Sequence, residues 1–272
     1  MRACSTNSSI CASMTRRNPL AGKRVLITRP EHQSGAFARS LSEVGASPIV
    51  APVVEIVPPD DPDSVRAAVR DLNSYDWLVL TSVNGVSAFF GALDSFSPGV
   101  RDLKLKLAAI GPRTAHALAL HGVRAALVPE EYVAEALADK LLAVLPKSAR
   151  ILLLRAAEAR DVLPERLRAA GHSVSDVAVY RTRIRRDDNL AKKVRACDIL
   201  TFTSPSTVKG FAENGALGEV GTKVVACIGP VTAQAARAAG MNVTVVAREY
   251  TVDGLLAALL DRLQSTGSVS AR

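Results

Sequence analysis

The feature that most constrains this chain is an internal repeat. KRVLITR (residues 23–29) returns as ARILLLR (149–155), and each copy runs into a helix-like segment closed by a glycine, Gly45 or Gly171. DWLVLTS (76–82) returns as DILTFTS (198–204), with Val86/Val208 and Phe89/Phe211 in register behind it. AAIGPRTA (108–115) returns as ACIGPVTA (226–233), Gly122 matches Gly240, and EEYVAEAL (130–137) matches REYTVDGL (248–255). Pairs about 118–126 residues apart mean two copies of one supersecondary pattern, together filling residues 23–264.

Within each copy, short apolar runs alternate with segments of helical spacing. VLIT (25–28) is a β-branched run. Phe37, Ala38, Leu41 and Val44 then recur as on one helix face, and Gly45 supplies a left-handed stop. The same reading predicts strands over 48–57, 77–80, 107–110 and 125–128, and an alternating strand over 174–180. It predicts helices through Phe89, up to Gly122, and over 133–145. Short strands separated by helices predict an α/β fold with parallel sheets covered on both faces. A simple tandem would divide near Pro146. The two copies could instead exchange their first β-α-β element. Pro52, Pro58, Pro59 and Pro62 crowd one crossing region, and 180–193 is rich in Arg and Asp, so two strands there could form a hinge. Periodicity leaves both divisions open.

Composition removes several function classes. Aromatic residues are 4% of the chain, too few for a surface that stacks single-stranded nucleic acid. The net charge is +8, but Arg2, Arg16, Arg17 and Arg272 lie in the tails, leaving residues 23–264 at +4. That permits an anionic ligand and shows no concentrated basic face for DNA. There is no run of about 18 apolar residues, so no spanning helix and no membrane role are expected. Cys4, Cys11, Cys197 and Cys227 form no C-x-x-C pair, and His32, His116, His121 and His172 lack metal-ligand spacing. Residues 1–22 are Ser/Asn/Thr-rich and acid-free, which suits a disordered tail or a short organelle transit segment. Residues 265–272 read as a second loose end.

The loops after the predicted strands share one theme: Thr81-Ser82, Gly111-Pro112-Arg113-Thr114, Thr203-Ser204 and Gly229-Pro230-Val231-Thr232. Each opens a helix at the carboxyl end of a parallel strand, where ligands of such sheets bind and free N–H groups point outward. Ser, Thr and Gly also serve simply as helix caps, and Pro as a first helical residue. Four such loops paired by the repeat favour an anion-binding cleft between two lobes. Arg155 and Arg160 follow a strand, and a guanidinium suits carboxylates. G-x-G-x-x-G, G-x-x-x-x-G-K-[ST] and G-x-S-x-G are all absent, and Asp187-Asp188 sits in a solvated charge run.

The ordered set TSVNGV, AIGPRTA, LLLRAAEARDVLPERLRAAG, VAVYRT, TFTSPSTV and CIGPVTA resembles the uroporphyrinogen-III synthase family over about residues 23–264. That resemblance implies two flavodoxin-like parallel-sheet lobes joined by a two-stranded linker. The first lobe would be discontinuous, 23–55 with 183–264, and the second would be 56–182. It implies hydroxymethylbilane as substrate, a linear tetrapyrrole with eight carboxylates. The reaction would be dehydration and closure to uroporphyrinogen III with inversion of the last ring through a spiro intermediate, and no cofactor or metal would be used. The tyrosine of the family's VYxT motif is here Tyr180, which would assist departure of hydroxide. The carboxylates would be held by Thr81, Ser82, Gly111, Thr114, Arg155, Arg160, Thr203, Ser204, Gly229 and Thr232. Some members carry two threonines after the second Gly-Pro; Val231 replaces the first here.

The expected setting is a cytoplasmic monomer without nucleic-acid or membrane partners, with a plastid as the minor alternative and transient contact with the preceding pathway enzyme. The competing class is a two-lobed anion- or tetrapyrrole-binding module without catalysis, which would need no proton donor at Tyr180.

Overall fold

The computed structural model describes residues 18–96 and 103–267. The loose ends expected over 1–22 and 265–272 fall outside it for 1–17 and 268–272. Residues 18–22 form a turn whose Leu20 packs with Phe37 and Leu41, and the last helix continues to Gly267, so neither stretch is a loose end there.

In chain order the elements are β1 (Arg24–Ile27), α1 (Glu31–Glu43), β2 (Ser47–Val50), β3 (Val54–Val57), α2 (Pro62–Arg70), β4 (Trp77–Leu80), α3 (Val83–Phe96), β5 (Lys106–Ala109), α4 (Pro112–Leu120) and α5 (Ala134–Leu142). They continue with β6 (Arg150–Ala156), α6 (Val162–Ala169), β7 (Ser173–Ile184), α7 (Leu190–Ala196), β8 (Ile199–Phe202), α8 (Pro205–Glu213), β9 (Val224–Cys227), α9 (Pro230–Ala238), β10 (Val243–Val246) and α10 (Val252–Gly267). The chain divides into two compact units, residues 1–54 with 184–272, and residues 55–183.

The unit of residues 55–183 carries the sheet β3-β7-β6-β4-β5, in which β4 pairs in parallel with β5 and β6, and β6 with β7. Alternation explains its core. Leu78, Leu80, Leu152 and Leu154 face Val65, Val69, Phe89, Phe90 and Leu118. Trp77, Val79, Ile151 and Leu153 face Leu137, Leu141, Leu163 and Leu167. Successive strand residues point to opposite faces, and helices cover both, so β4 is apolar at all four positions. Each fully buried Leu or Phe contributes about 1.5–3 kcal/mol.

The other unit repeats the plan in the order β10-β9-β8-β1-β2, with every neighbouring pair parallel. Leu26, Leu200, Phe202, Val225 and Cys227 face Val194, Phe211 and Ala233. Val25, Ile27, Ile199 and Ala226 face Phe37, Leu41, Leu255 and Leu259. Burial pushes the Cys197 thiol up to about 11 and that of Cys227 to about 12, so both act as small apolar residues.

The repeated aspartates explain themselves here. Asp76 Oδ2 accepts the Arg150 backbone N–H at 2.7 Å, and Asp198 Oδ2 accepts that of Arg24 at 2.8 Å. Each ties the start of one central strand to its neighbour.

Two expectations need correction. The strand expected over 48–57 is broken: β2 and β3 belong to different sheets, separated by Ala51-Pro52-Val53. Pro52 has no N–H for a ladder. The strand expected over 125–128 shrinks to a single bridge, Ala108 to Leu127, although its counterpart β10 is complete.

Candidate active site

Each unit places its hydroxyl-bearing loops at the carboxyl ends of its central strands. Ser82 follows β4 and caps α3, its Oγ accepting the Gly85 N–H at 2.9 Å. Ser204 follows β8 and caps α8, its Oγ accepting the Thr207 N–H at 3.2 Å while Thr207 Oγ1 accepts the Ser204 N–H at 3.3 Å. This reciprocal pair is a capping box. Thr81 and Thr203 are half-buried at the ends of β4 and β8.

The Gly-Pro loops open α4 and α9 in the same way, with Gly111 and Gly229 as caps and Pro112 and Pro230 at the first helical position. Thr114 and Thr232 stand in those first turns and are each 4% exposed. Beside each glycine lies a tyrosine that sequence reasoning missed. A Cβ on Gly111 would come within 3.1–3.3 Å of the Tyr132 side chain, and one on Gly229 within 3.1–3.5 Å of the Tyr250 ring. Tyr132 and Tyr250 are 44% and 45% exposed and occupy matching places in EEYVAEAL and REYTVDGL. That match was the available signal.

Tyr180 lies on β7 where the pairing with β6 shifts register, between Arg155 and Ala156. Its carbonyl accepts the Ala157 N–H at 3.0 Å, and its half-buried ring packs against the core of its unit. From there the hydroxyl donates to Ser82 Oγ at 3.1 Å. Burial raises the Tyr180 pKa above the usual phenol value. The bond with Ser82 offsets part of that, and the Glu158 carboxylate adds to it. The side chain is therefore a neutral O–H at physiological pH, held at one end of a parallel sheet.

The two arginines proposed for carboxylates are held in different ways. Arg155 is only 11% exposed. It donates to Asp176 from Nε at 2.7 Å and from Nη2 at 2.6 Å, to Asp161 at 2.6 Å, and to the carbonyls of Ala159 and Arg160 at 2.7 and 3.1 Å. Those five bonds match its five N–H groups, so none is left for a ligand. The Asp176 bond raises its pKa most, against burial. Arg155 is a buttress of the loop after β6. Arg160 is exposed and forms a two-pronged pair with Glu135 at 2.8 and 3.2 Å.

No group of three or more potential metal ligands occurs among the described residues. No helix among them is long and apolar enough to cross a membrane.

Comparison with known proteins points to one family. A family model for HemD-type uroporphyrinogen-III synthase matches residues 35–257. The uroporphyrinogen-III synthase of Synechococcus elongatus is 33% identical over 254 residues, covering 89% of this chain and 96% of that one. The HemD porphyrin biosynthesis protein of Ruminiclostridium josui is 32% identical over 250 residues, covering 90% of this chain and 49% of that protein, so the chain spans about half its length. Among solved structures, a mutant uroporphyrinogen III synthase from Thermus thermophilus superposes with a TM-score of 0.64 at 21% identity, covering 90% of this chain and all of that one. That of Helicobacter pylori gives 0.57 at 18% identity, covering 88% of this chain and 99% of that one. These likenesses show the two-sheet α/β fold.

Proposed function

The chain belongs to the uroporphyrinogen-III synthase family and is a cyclising hydro-lyase of tetrapyrrole biosynthesis, and we propose that it converts hydroxymethylbilane to uroporphyrinogen III with Tyr180 as proton donor. The observation that supports this role is the Tyr180 hydroxyl, hydrogen-bonded to Ser82 at the carboxyl end of a parallel sheet and kept protonated by burial.

The chemistry needs little more than a proton and a fixed shape. The Tyr180 O–H bond breaks as the terminal C–O bond of the bilane breaks, so hydroxide leaves as water. The carbocation left behind is stabilised by pyrrole nitrogen. Attack on it by the substituted carbon of the last ring gives the spiro intermediate, and rearrangement inverts that ring before closure. A proton is finally lost from a ring carbon, and the Tyr180 phenolate is the base that recovers it. Closure without inversion is what the cation does unaided, so catalysis is chiefly positioning.

Carboxylates supply the handles for that positioning. We assign their recognition to the hydroxyls and helix-start N–H groups around Thr81, Ser82, Thr114, Thr203, Ser204 and Thr232, with Gly111 and Gly229 opening two of the loops. Arg155 is left out because its five N–H groups are already engaged, whereas exposed Arg160, which spends only two on Glu135, stays among the groups we assign to carboxylates. We take the protein to act in the cytoplasm, in keeping with its bacterial relatives, and as a monomer.

The test supplies hydroxymethylbilane, oxidises the products and separates isomers I and III. The wild type yields isomer III, whereas a non-catalytic binder leaves isomer I dominant. Tyr180→Phe should lower kcat by roughly 10²-fold or more, the share a general acid contributes, and wild-type turnover would overturn the donor role.

A further inference from the structure

Ser82 is held from two sides. Its Oγ accepts the Gly85 N–H at 2.9 Å and the Tyr180 hydroxyl at 3.1 Å. A hydroxyl oxygen has two lone pairs, so both are taken. The first bond fixes the serine to the opening turn of α3. The second ties the phenol on β7 to the end of β4, across the intervening strand β6. Gly85 leaves room for this. A Cβ there would come within 3.2 Å of Ser82 Oγ and 3.6 Å of the Leu154 carbonyl oxygen. Alanine is the better helix former, yet it would crowd the oxygen that accepts the phenol.

The other copy of the repeat shows the same serine without the tyrosine. Ser204 Oγ accepts the Thr207 N–H at 3.2 Å, and it bonds the Ser206 hydroxyl at 2.8 Å. Ser173 pairs with Arg150 as Ser47 pairs with Arg24. The residue seven after Ser173 is Tyr180, and the residue seven after Ser47 is Val54, which has no hydroxyl to offer. The phenol–serine bond therefore belongs to one copy, and capping alone does not explain it.

We infer that Ser82 is a positioning residue for proton donation: its Oγ, anchored by the Gly85 N–H, sets the direction of the Tyr180 hydroxyl, and its own O–H then turns to the phenolate until the ring proton returns. The inference rests on the proton-donor reading of Tyr180 and gives Ser82 a task besides holding a carboxylate. In the transfer step the Tyr180 O–H bond breaks, the departing hydroxide gains that proton and leaves as water, and the phenolate keeps the electron pair. Ser82 Oγ has then lost one of its two donors. Its own proton can rotate onto Tyr180 Oη while the Gly85 N–H stays in place. A bond to an ionised acceptor is roughly twice as strong as one between neutral groups, so Ser82 does more for the phenolate than for the phenol.

The experiment uses the full chain carrying Ser82→Ala, with Ser82→Thr as the conservative variant. Steady-state turnover of hydroxymethylbilane is measured beside a tyrosinate absorbance titration of the substrate-free protein. Tyr180→Phe identifies the Tyr180 component among Tyr75, Tyr132, Tyr180 and Tyr250. We expect Ser82→Ala to lower kcat about tenfold, part of what a general acid supplies, and to move the Tyr180 midpoint upward, with partial return of both in Ser82→Thr. In a Tyr180→Phe background the same change should lower kcat no further, because a residue that acts through the phenol has nothing left to act on. Should Ser82→Ala fail to fold, Ser82→Gly provides the same readings, since glycine is well tolerated at a helix cap. Wild-type kcat with an unmoved Tyr180 midpoint, whether or not KM rises, would leave Ser82 to the carboxylates and overturn its positioning role. So would an additive loss of kcat in the double variant, alongside a slow Tyr180→Phe. Wild-type turnover in Tyr180→Phe overturns the donor reading, and the positioning role of Ser82 with it.

Discussion

Gly111 and Gly229 have φ of −169° and −176°, extended values open to any residue, so backbone freedom does not explain them. The tyrosines do. An added methyl would press into Tyr132 or Tyr250 at about 3.1 Å, and the ring, half-exposed, would have to swing away. Gly111→Ala should therefore cost about 1 kcal/mol, the low end of overpacking. The cost should vanish when Tyr132→Ala is added, a coupling that urea denaturation of the four variants measures. Arg155 poses the opposite case, a buried cation whose removal strands Asp176. Arg155→Ala should cost about 3–5 kcal/mol, as for a broken buried pair, whereas Arg160→Ala should cost under about 1 kcal/mol. Similar losses in a urea series would mean that Arg155 is not a buttress. The sequence order hid this difference. Arg155 stands at the end of a strand, where a ligand-facing cation is expected, but its partner Asp176 lies on the next strand and meets it only through the β6–β7 pairing. The bond from Tyr180 to Ser82 was hidden likewise, because nothing in TSVNGV says that a tyrosine 98 positions later will reach its serine.

Among the elements, α8 carries a glycine where ordinary helix physics favours alanine by about 1 kcal/mol. A Cβ on Gly210 would lie 2.5 Å from the Val53 carbonyl oxygen and 3.0 Å from Val54 Cγ1. The obstacle is backbone and cannot move aside as a side chain can. Gly210→Ala should lower stability by about 1–3 kcal/mol, read as a lower urea midpoint with an unchanged slope. At the matching position of α3, Ala88→Gly should cost only the propensity difference. The aspartate that opens β8 gives a pH signature. Burial of Asp198 favours its neutral form, but the bonds from the Arg24 backbone and side chain, with the Arg24 and Lys23 charges, outweigh it and hold the carboxyl below the usual range. A carboxyl depressed in the folded state stabilises above its unfolded pKa, near 3.9, and that stability is lost as pH falls through the folded value. Asp198→Asn should thus cost up to about 1 kcal/mol at pH 7, and the gap from wild type should close below pH 4 in paired urea series. These elements were largely legible, because β4, β8, β5 and β9 rest on runs apolar on both faces and each ends in a repeated cap. The lapses fell where local pattern loses to context: Pro52 splits one apolar run between two sheets, and 125–128 makes one bridge where β10 makes a strand.

At the scale of the molecule, the two units are built from the chain in different ways, and folding should show it. Residues 55–183 are continuous and contain β4, β5, β6 and nearly all of β3 and β7, with both faces of the sheet covered by their own helices. The other unit draws on both ends of the chain, and β1 lies between β8 and β2 in its sheet order. Val25, Leu26 and Ile27 are fully buried there, and Phe37 and Leu41 of α1 complete one face. A fragment of residues 184–272 lacks all five side chains, and at about 1.5–3 kcal/mol each the deficit is comparable to the whole stability of a domain. It would also bare the edge of β8, whose residues Ile199, Leu200, Thr201 and Phe202 are all buried, as an invitation to aggregate. We therefore expect residues 55–183 alone to unfold cooperatively in urea and to show dispersed amide resonances. Residues 184–272 alone should be unfolded or aggregated, and should recover helical and strand signal when residues 18–54 are supplied in trans. Cooperative folding of 184–272 without that peptide would show that β1 is not the keystone of its sheet. The same asymmetry bears on kinetics, since contacts that join the two ends of the chain close a far longer loop than any within 55–183. The continuous unit should accordingly gain amide protection first in a pulsed hydrogen-exchange refolding experiment, and protection of β1 and β8 should arrive together, because neither is buried without the other.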